Sequence, residues 1–253
     1  IAGPWERIYH VHVQKTGGTT LNHAFCALAF EPDRIDVAET FDSDVLPEEM
    51  YPGRAVQMRV HRSPDRSFEG NGLRLVAFDA GEIERGRYFY AWSHVPYHRL
   101  RLPPGTFTFT CLRDPVARAL SRFQMLRDLR RRGKLTHYGQ EDLAPMIDEG
   151  LAAFVERYDR TLLLHQLSTF SAGLDPEEAA EHVARLDAVL FTESLGSDAA
   201  RLARTLGIEL ELVHAKRSPE PSEPDPASRR RLREVLEPEY RLLELVRARR
   251  SVP

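Results

Sequence analysis

Lys15-Thr16-Gly17-Gly18-Thr19-Thr20 sets one lysine, two adjacent glycines and three hydroxyls between a short apolar run and a helical pattern. Residues of these types in this order can hold a tetrahedral anion. Glycines let the main chain wrap closely around it. Successive N–H groups and a helix N-terminus offer donors and partial positive charge, and Lys15 adds a full one. Thr19 and Thr20 can donate to the same oxygens. A second candidate is Arg113-Asp114-Pro115-Val116-Ala117-Arg118-Ala119-Leu120-Ser121, which follows a β-branched and aromatic run. There the planar Arg113 guanidinium can grip a phosphate through two hydrogen bonds, and the Ser121 hydroxyl can add another. The plainer alternatives are a threonine-capped turn and a helix start with Ser121 on its surface.

The order of residues in the first motif matters. A Walker A loop carries its lysine after the glycines, followed by a Ser or Thr that binds magnesium. Here Lys15 precedes the glycines, and no acidic residue follows a strand in a Walker B arrangement. The loop therefore reads as a P-loop relative that does not need magnesium. The ten histidines offer both bases and metal ligands. His10 and His12 alternate on the first strand and share a face. No third ligand stands at a recognisable spacing, so no metal site is expected.

The elements that must position these residues alternate along the chain. Strands are expected at Ile8 to Val13, Leu73 to Phe78, Tyr88 to Trp92, Phe107 to Leu112, Ala188 to Thr192 and Glu209 to Val213, with a short one at Ala55 to Val60. Helices are expected from Leu21 to Phe30, from Pro115 to Arg132 and from Pro176 to Leu186, the last two opened by Asp-Pro. One or two amphipathic helices should fill Leu143 to Ala172. Ser197 is read as the cap of a helix that stops at Gly207, and Asp225-Pro226 as the start of a C-terminal segment broken before Pro238. Strands alternating with helices predict an α/β fold, a P-loop NTPase-like domain with a central, mainly parallel sheet flanked by helices. The whole chain, 1–253, is read as one such domain, with the Pro-rich Ser218 to Pro226 as a linker to the helices of 226–250.

The two motifs together resemble the PAPS-dependent sulfotransferases, PAPS being 3′-phosphoadenosine 5′-phosphosulfate. His12-Val13-Gln14-Lys15-Thr16-Gly17-Gly18-Thr19-Thr20-Leu21 is similar to the family's 5′-phosphosulfate loop, closest to the branch of carbohydrate 2-O- and 6-O-sulfotransferases and their bacterial relatives. Phe107 to Phe123 is similar to the strand and helix whose arginine and serine, here Arg113 and Ser121, bind the donor's 3′-phosphate. The resemblance implies that Lys15, Thr16, Gly17, Gly18, Thr19 and Thr20 hold the donor and that Lys15 stabilises the leaving group. Trp92-Ser93-His94-Val95-Pro96-Tyr97 looks like the family segment whose histidine is the proposed base, with Ser93 in place of the usual glycine. His94 is accordingly the expected catalytic base. His61, His98, His137, His165, His182 and His214 lack such support. Val189 to Ser194 and Arg160 to Gly173 add weaker agreement. Lys216 and Arg217 fall where relatives place a donor-binding loop and are expected to meet the 3′-phosphate or adenine.

The expected reaction is transfer of the sulfuryl group of PAPS to a hydroxyl by in-line displacement, leaving PAP and requiring no metal. The branch points to a carbohydrate or glycolipid acceptor, and 31–87, which matches no family segment, is read as shaping the acceptor pocket. Acidic and basic side chains number 38 and 35, so no global field favours nucleic acid or an anionic membrane. The basic run Arg127 to Lys134 is read as a solvated, dipole-matched helix end. Cys26 and Cys111 lie in apolar surroundings and read as buried free thiols. No apolar run approaches the ~20 residues that span a bilayer. The chain opens on Ile1 without a methionine, as a trimmed chain would. A cytoplasmic location is expected, and the arginine-rich composition suggests a bacterial source. The rival readings are a small-molecule kinase with a variant P-loop and a non-catalytic nucleotide-binding protein of the same fold.

Overall fold

The structure, a computed structural model, describes residues 1–35, 51–136, 139–213 and 224–250. Along the chain it begins with β1 (Arg7–Val11), α1 (Gly18–Ala27), α2 (Pro52–Arg62), β2 (Ser67–Gly70), β3 (Leu73–Ala77), α3 (Ala80–Arg85) and β4 (Tyr90–Ser93). It continues with β5 (Thr106–Leu112), α4 (Pro115–Arg131), α5 (Ala144–Glu149), α6 (Leu151–Arg157), α7 (Arg160–Leu163), α8 (His165–Phe170) and α9 (Pro176–Ala184). It closes with β6 (Ala188–Phe191), α10 (Leu195–Leu206), α11 (Pro226–Val235) and α12 (Glu237–Arg250). The chain divides into two compact units, one of Ile1–Val13, Gly17–Leu112 and Leu186–Lys216, the other of Gln14–Thr16, Arg113–Arg185 and Arg217–Pro253.

The first unit is built on a six-stranded sheet of order β2-β3-β4-β1-β5-β6. Only β2 and β3 pair antiparallel, through the two-residue turn Asn71–Gly72; every other pair is parallel. Parallel strands are covered on both faces, so their sequences run continuously apolar or β-branched rather than alternating. β5, Thr-Phe-Thr-Phe-Thr-Cys-Leu, is buried along its whole length for this reason. Phe25 of α1 stacks on Tyr90 of β4 at 4.1 Å between ring centroids, and Trp92, Phe107 and Phe109 extend the same core. Burial of such aromatic rings is the main favourable term holding α1 on the sheet.

In the second unit the Asp-Pro starts behave as their chemistry predicts. Asp114 accepts the Ala117 N–H at 2.8 Å, Asp175 that of Glu178 at 2.9 Å and Asp225 those of Ala227 and Ser228 at 3.0 Å, each with proline at the following position. The break before Pro238 falls as expected, between α11 and α12. Both cysteines are buried free thiols.

The structure corrects four expectations. The strand placed at Ala55 to Val60 lies inside α2. Its buried Gly53, Val56 and Val60 are spaced by three and four, the period of one helix face, and Pro52 opens the first turn. The amphipathic stretch after Leu143 is four short helices, because Gly150 and the Asp159 cap interrupt it. Ser197 is not a cap: α10 begins at Leu195, and the Asp198 carboxylate, accepting from Phe191 N–H and Ser194 Oγ at 2.8 Å each, secures the turn from inside the helix. Glu209 to Val213 forms no strand. Its alternating leucines pack against the core by side chain alone, and β6 pairs only with β5 among the described residues.

Candidate active site

β1 lies between β4 and β5 with Val11 in register with both Ser93 and Thr110. The three strands thus end together, and the chain leaves them at the loop after Val11, at His94 and, through Leu112, at Arg113. In open α/β sheets this carboxyl edge is where ligands bind.

In the first unit, Gly17 precedes α1 at φ 83, and no side chain caps the helix. The first intrahelical bond of the loop is from Leu21 N–H to Gly17 O. The N–H groups of Gly18, Thr19 and Thr20 are therefore the donors a helix N-terminus offers to an anion. Gly18 has a different reason to be glycine. A Cβ there would lie 1.9 Å from Nε2 of His12, whose ring occupies that space. Beyond Gly17 lie Leu195, the first residue of α10, and Thr192, of the segment Val189 to Ser194 already noted in the sequence, and Thr192 Oγ1 donates to Leu112 O at 3.2 Å.

His94 is held by its tautomer. Its Nδ1 lies 2.7 Å from the main-chain oxygen of His12. A carbonyl only accepts, so Nδ1 carries the proton and the neutral ring keeps its lone pair at Nε2. The side chain is half-buried, and its ring sits 4.5 Å from that of His12. Ser93, the departure from the family's glycine, has work of its own: its hydroxyl pairs with Tyr9 OH at 2.8 Å and accepts Val95 N–H at 3.2 Å, fixing the turn that presents His94. His10 and His12 do share a face, their rings 5.0 Å apart. Burial pushes the His10 imidazole down to about 4, against the opposing Asn22 hydrogen bond and with help from His94. His61 is pushed to about 4 as well, by burial first and then by Arg66 and His94. Both are neutral at neutral pH and do not compete with His94 for a proton.

In the second unit, Arg113 meets Lys15: Nη1 donates to the Lys15 carbonyl at 3.1 Å. Lys15 itself stands at φ 69, a left-handed conformation uncommon for a residue with a side chain, and Thr16 is fully buried. The main chain of Arg113 is clamped by Gln166, which accepts its N–H at 2.7 Å and donates to its carbonyl at 3.0 Å. Gln166 is in turn held by the Glu239 carboxylate, at 2.7 Å from its N–H and 3.1 Å from its side-chain amide. Glu239 also pairs with the buried Arg118 at 3.4 Å. Ser121 is half-buried on α4, and no described residue hydrogen-bonds its hydroxyl. Lys216 and Arg217 lie outside the described residues, as do His137 and His214. Sequence reasoning missed Gln166 and Glu239, which carry no local motif, and it assigned no function to Ser93 or to the His12 ring.

No family model and no curated protein matches the chain. Among solved structures, a sulfotransferase from Alicyclobacillus acidocaldarius is 18% identical with a TM-score of 0.43, over 98% of this chain and 97% of that one. A retinol dehydratase in complex with androsterone and the inactive cofactor PAP is 14% identical with a TM-score of 0.32; the match covers 91% of this chain and 63% of that one. At these values the functional reading rests on the residues of this chain.

Proposed function

We propose that the chain is a PAPS-dependent sulfotransferase acting on a hydroxyl of a carbohydrate or glycoconjugate, with His94 as general base. The observation that carries this reading is the His94 Nδ1 to His12 O hydrogen bond. It leaves Nε2 as the acceptor, at the end of a strand whose neighbour leads into the anion loop. The donor supplies a sulfuryl group already bonded to a phosphate oxygen, a good leaving group. His94 Nε2 takes the proton of the acceptor hydroxyl as its oxygen bonds to sulfur and the bond from sulfur to the phosphate oxygen breaks. Lys15 and the open amides of Gly18, Thr19 and Thr20 stabilise charge on the departing oxygen, with Thr16 and Gly17 shaping the loop. Arg113 and Ser121 hold the 3′-phosphate and so select PAPS over nucleotides that lack it. Positioning and charge stabilisation then account for the rate, as they do in phosphoryl transfer.

The test is calorimetric titration with PAP and, separately, with ATP plus magnesium, followed by turnover of His94→Ala. PAP is expected to bind, Arg113→Ala to abolish that binding and ATP to stay silent. His94→Ala should lower turnover by about 10² to 10⁴ while leaving PAP affinity unchanged. ATP binding without PAP binding would replace this reading with the kinase; PAP binding with wild-type turnover in His94→Ala would remove His94 as the base.

A further inference from the structure

Phe78 departs from the behaviour of its residue type in two ways. It follows β3 at φ 58, in the left-handed region that a bulky side chain avoids, and 38% of it is exposed. Such backbone conformations persist only where the surroundings over-determine them, and they cluster at functional sites. Here the chain is tied on both sides. Phe78 N–H donates to the Trp92 carbonyl at 3.0 Å, and the next residue, Asp79, caps α3 by accepting the Glu82 N–H at 2.9 Å. The ring so displayed lies 5.1 Å from that of His94, tilted by 47°, and 5.4 Å from that of His61. Within the first unit, therefore, a strained main chain holds a partly exposed aromatic ring beside the proposed base.

We infer that Phe78 is the acceptor platform, on which a cyclic polyol of pyranose size lays its C–H face while one hydroxyl reaches His94 Nε2. This rests on the sulfotransferase reading with a carbohydrate acceptor and adds to it the residue that positions the sugar ring. An aromatic face is electron-rich and attracts the weakly positive C–H groups of a saturated ring. A sterol or acyl chain would need a wider apolar surface than one ring. The surroundings are instead polar. Arg66 is exposed and hydrogen-bonds the main chain of His61, whose half-buried imidazole lies against the Phe78 ring. Those groups suit the outward hydroxyls of a sugar.

The experiment uses the full chain with methyl β-galactopyranoside, methyl β-glucopyranoside and methyl α-mannopyranoside as probes. Binding to PAP-loaded protein is read by saturation-transfer NMR, and transfer from PAPS by kcat and KM. Two variants are compared: Phe78→Tyr, which keeps the ring, and Phe78→Gly, which removes it while accepting the φ. Wild type and Phe78→Tyr should bind and sulfate at least one pyranoside. Phe78→Gly should raise KM by about tenfold or more with kcat little changed, the signature of lost ground-state contact. Its PAP affinity should be unchanged and its melting temperature no lower than that of wild type, a pattern that a merely structural ring would not give. The inference is overturned if Phe78→Gly keeps the wild-type KM, if it loses stability together with activity, or if no pyranoside binds PAP-loaded wild type. Failure to bind PAP at all would instead overturn the donor reading, and this inference with it.

Discussion

In the first unit His94 is placed by a strand end, one main-chain hydrogen bond and ring packing. In the second, Arg113 is placed by a buried polar network that gathers Gln166, Glu239 and Arg118 from three helices. The two arrangements fail in different ways. Packing around His94 is graded: a lost contact weakens it, and neighbouring rings take up some of the space. The network around Arg113 is all or none, since a buried carboxylate, guanidinium and amide each lose heavily once a partner is removed. The difference teaches where tolerance to substitution should be found. The sheet edge around His94 should accept substitutions that the core of the second unit does not.

The largest effect expected is from Glu239→Ala. It leaves Arg118, 1% exposed, without its carboxylate and frees Gln166 from its anchor. A loss of about 3 to 5 kcal/mol in unfolding free energy is expected, measured by denaturant titration, with weaker PAP binding as the Arg113 main chain loosens. A loss of under 1 kcal/mol would erase the contrast between the units. Gly18→Ala comes next. The new methyl meets the His12 ring, and displacing it should cost about 1 to 3 kcal/mol and lower turnover by moving the His12–His94 pair. The contrast is sharpened by a second change: His12→Ala in the Gly18→Ala background should restore part of that stability, whereas additive losses would show that ring and methyl never meet.

A further effect is on pH dependence. Folded His10 titrates at about 4, whereas its ordinary value is 6.5. Between these values the unfolded chain binds more protons than the folded one. Stability therefore falls as pH falls through this window, by up to about 1.4 kcal/mol per pH unit from this group, and His61 contributes with the same sign. Unfolding free energies measured across the window should show this slope, and His10→Gln should flatten it. A slope unchanged by that substitution would remove His10 as its source.

Much of this architecture was legible along the chain because its signals are local. The strand-to-loop passage at Lys15–Thr20, the Asp-Pro helix starts and the buried β5 each depend on residues within a few positions of one another. The Ala55 to Val60 misreading has the same origin. Val and Ala favour either state over so short a run, and only burial of Gly53, Val56 and Val60 on α1 and the sheet decides for helix. Glu209 to Val213 has the alternation of a strand, but alternation serves side-chain packing equally well when no partner strand is present.

By itself the sequence pointed to the Lys15–Thr20 loop and the Arg113–Ser121 motif as anion-site candidates, because the chemistry of each is written in adjacent residue types, and to His94 through the family resemblance. Only the tertiary structure decided why Gly18 is glycine, how Ser93 serves and which residues clamp Arg113. It also decided that Phe78 stands open beside His94. Those facts depend on contacts between residues from a few to more than a hundred positions apart, which packing brings together and which leave no pattern in the chain.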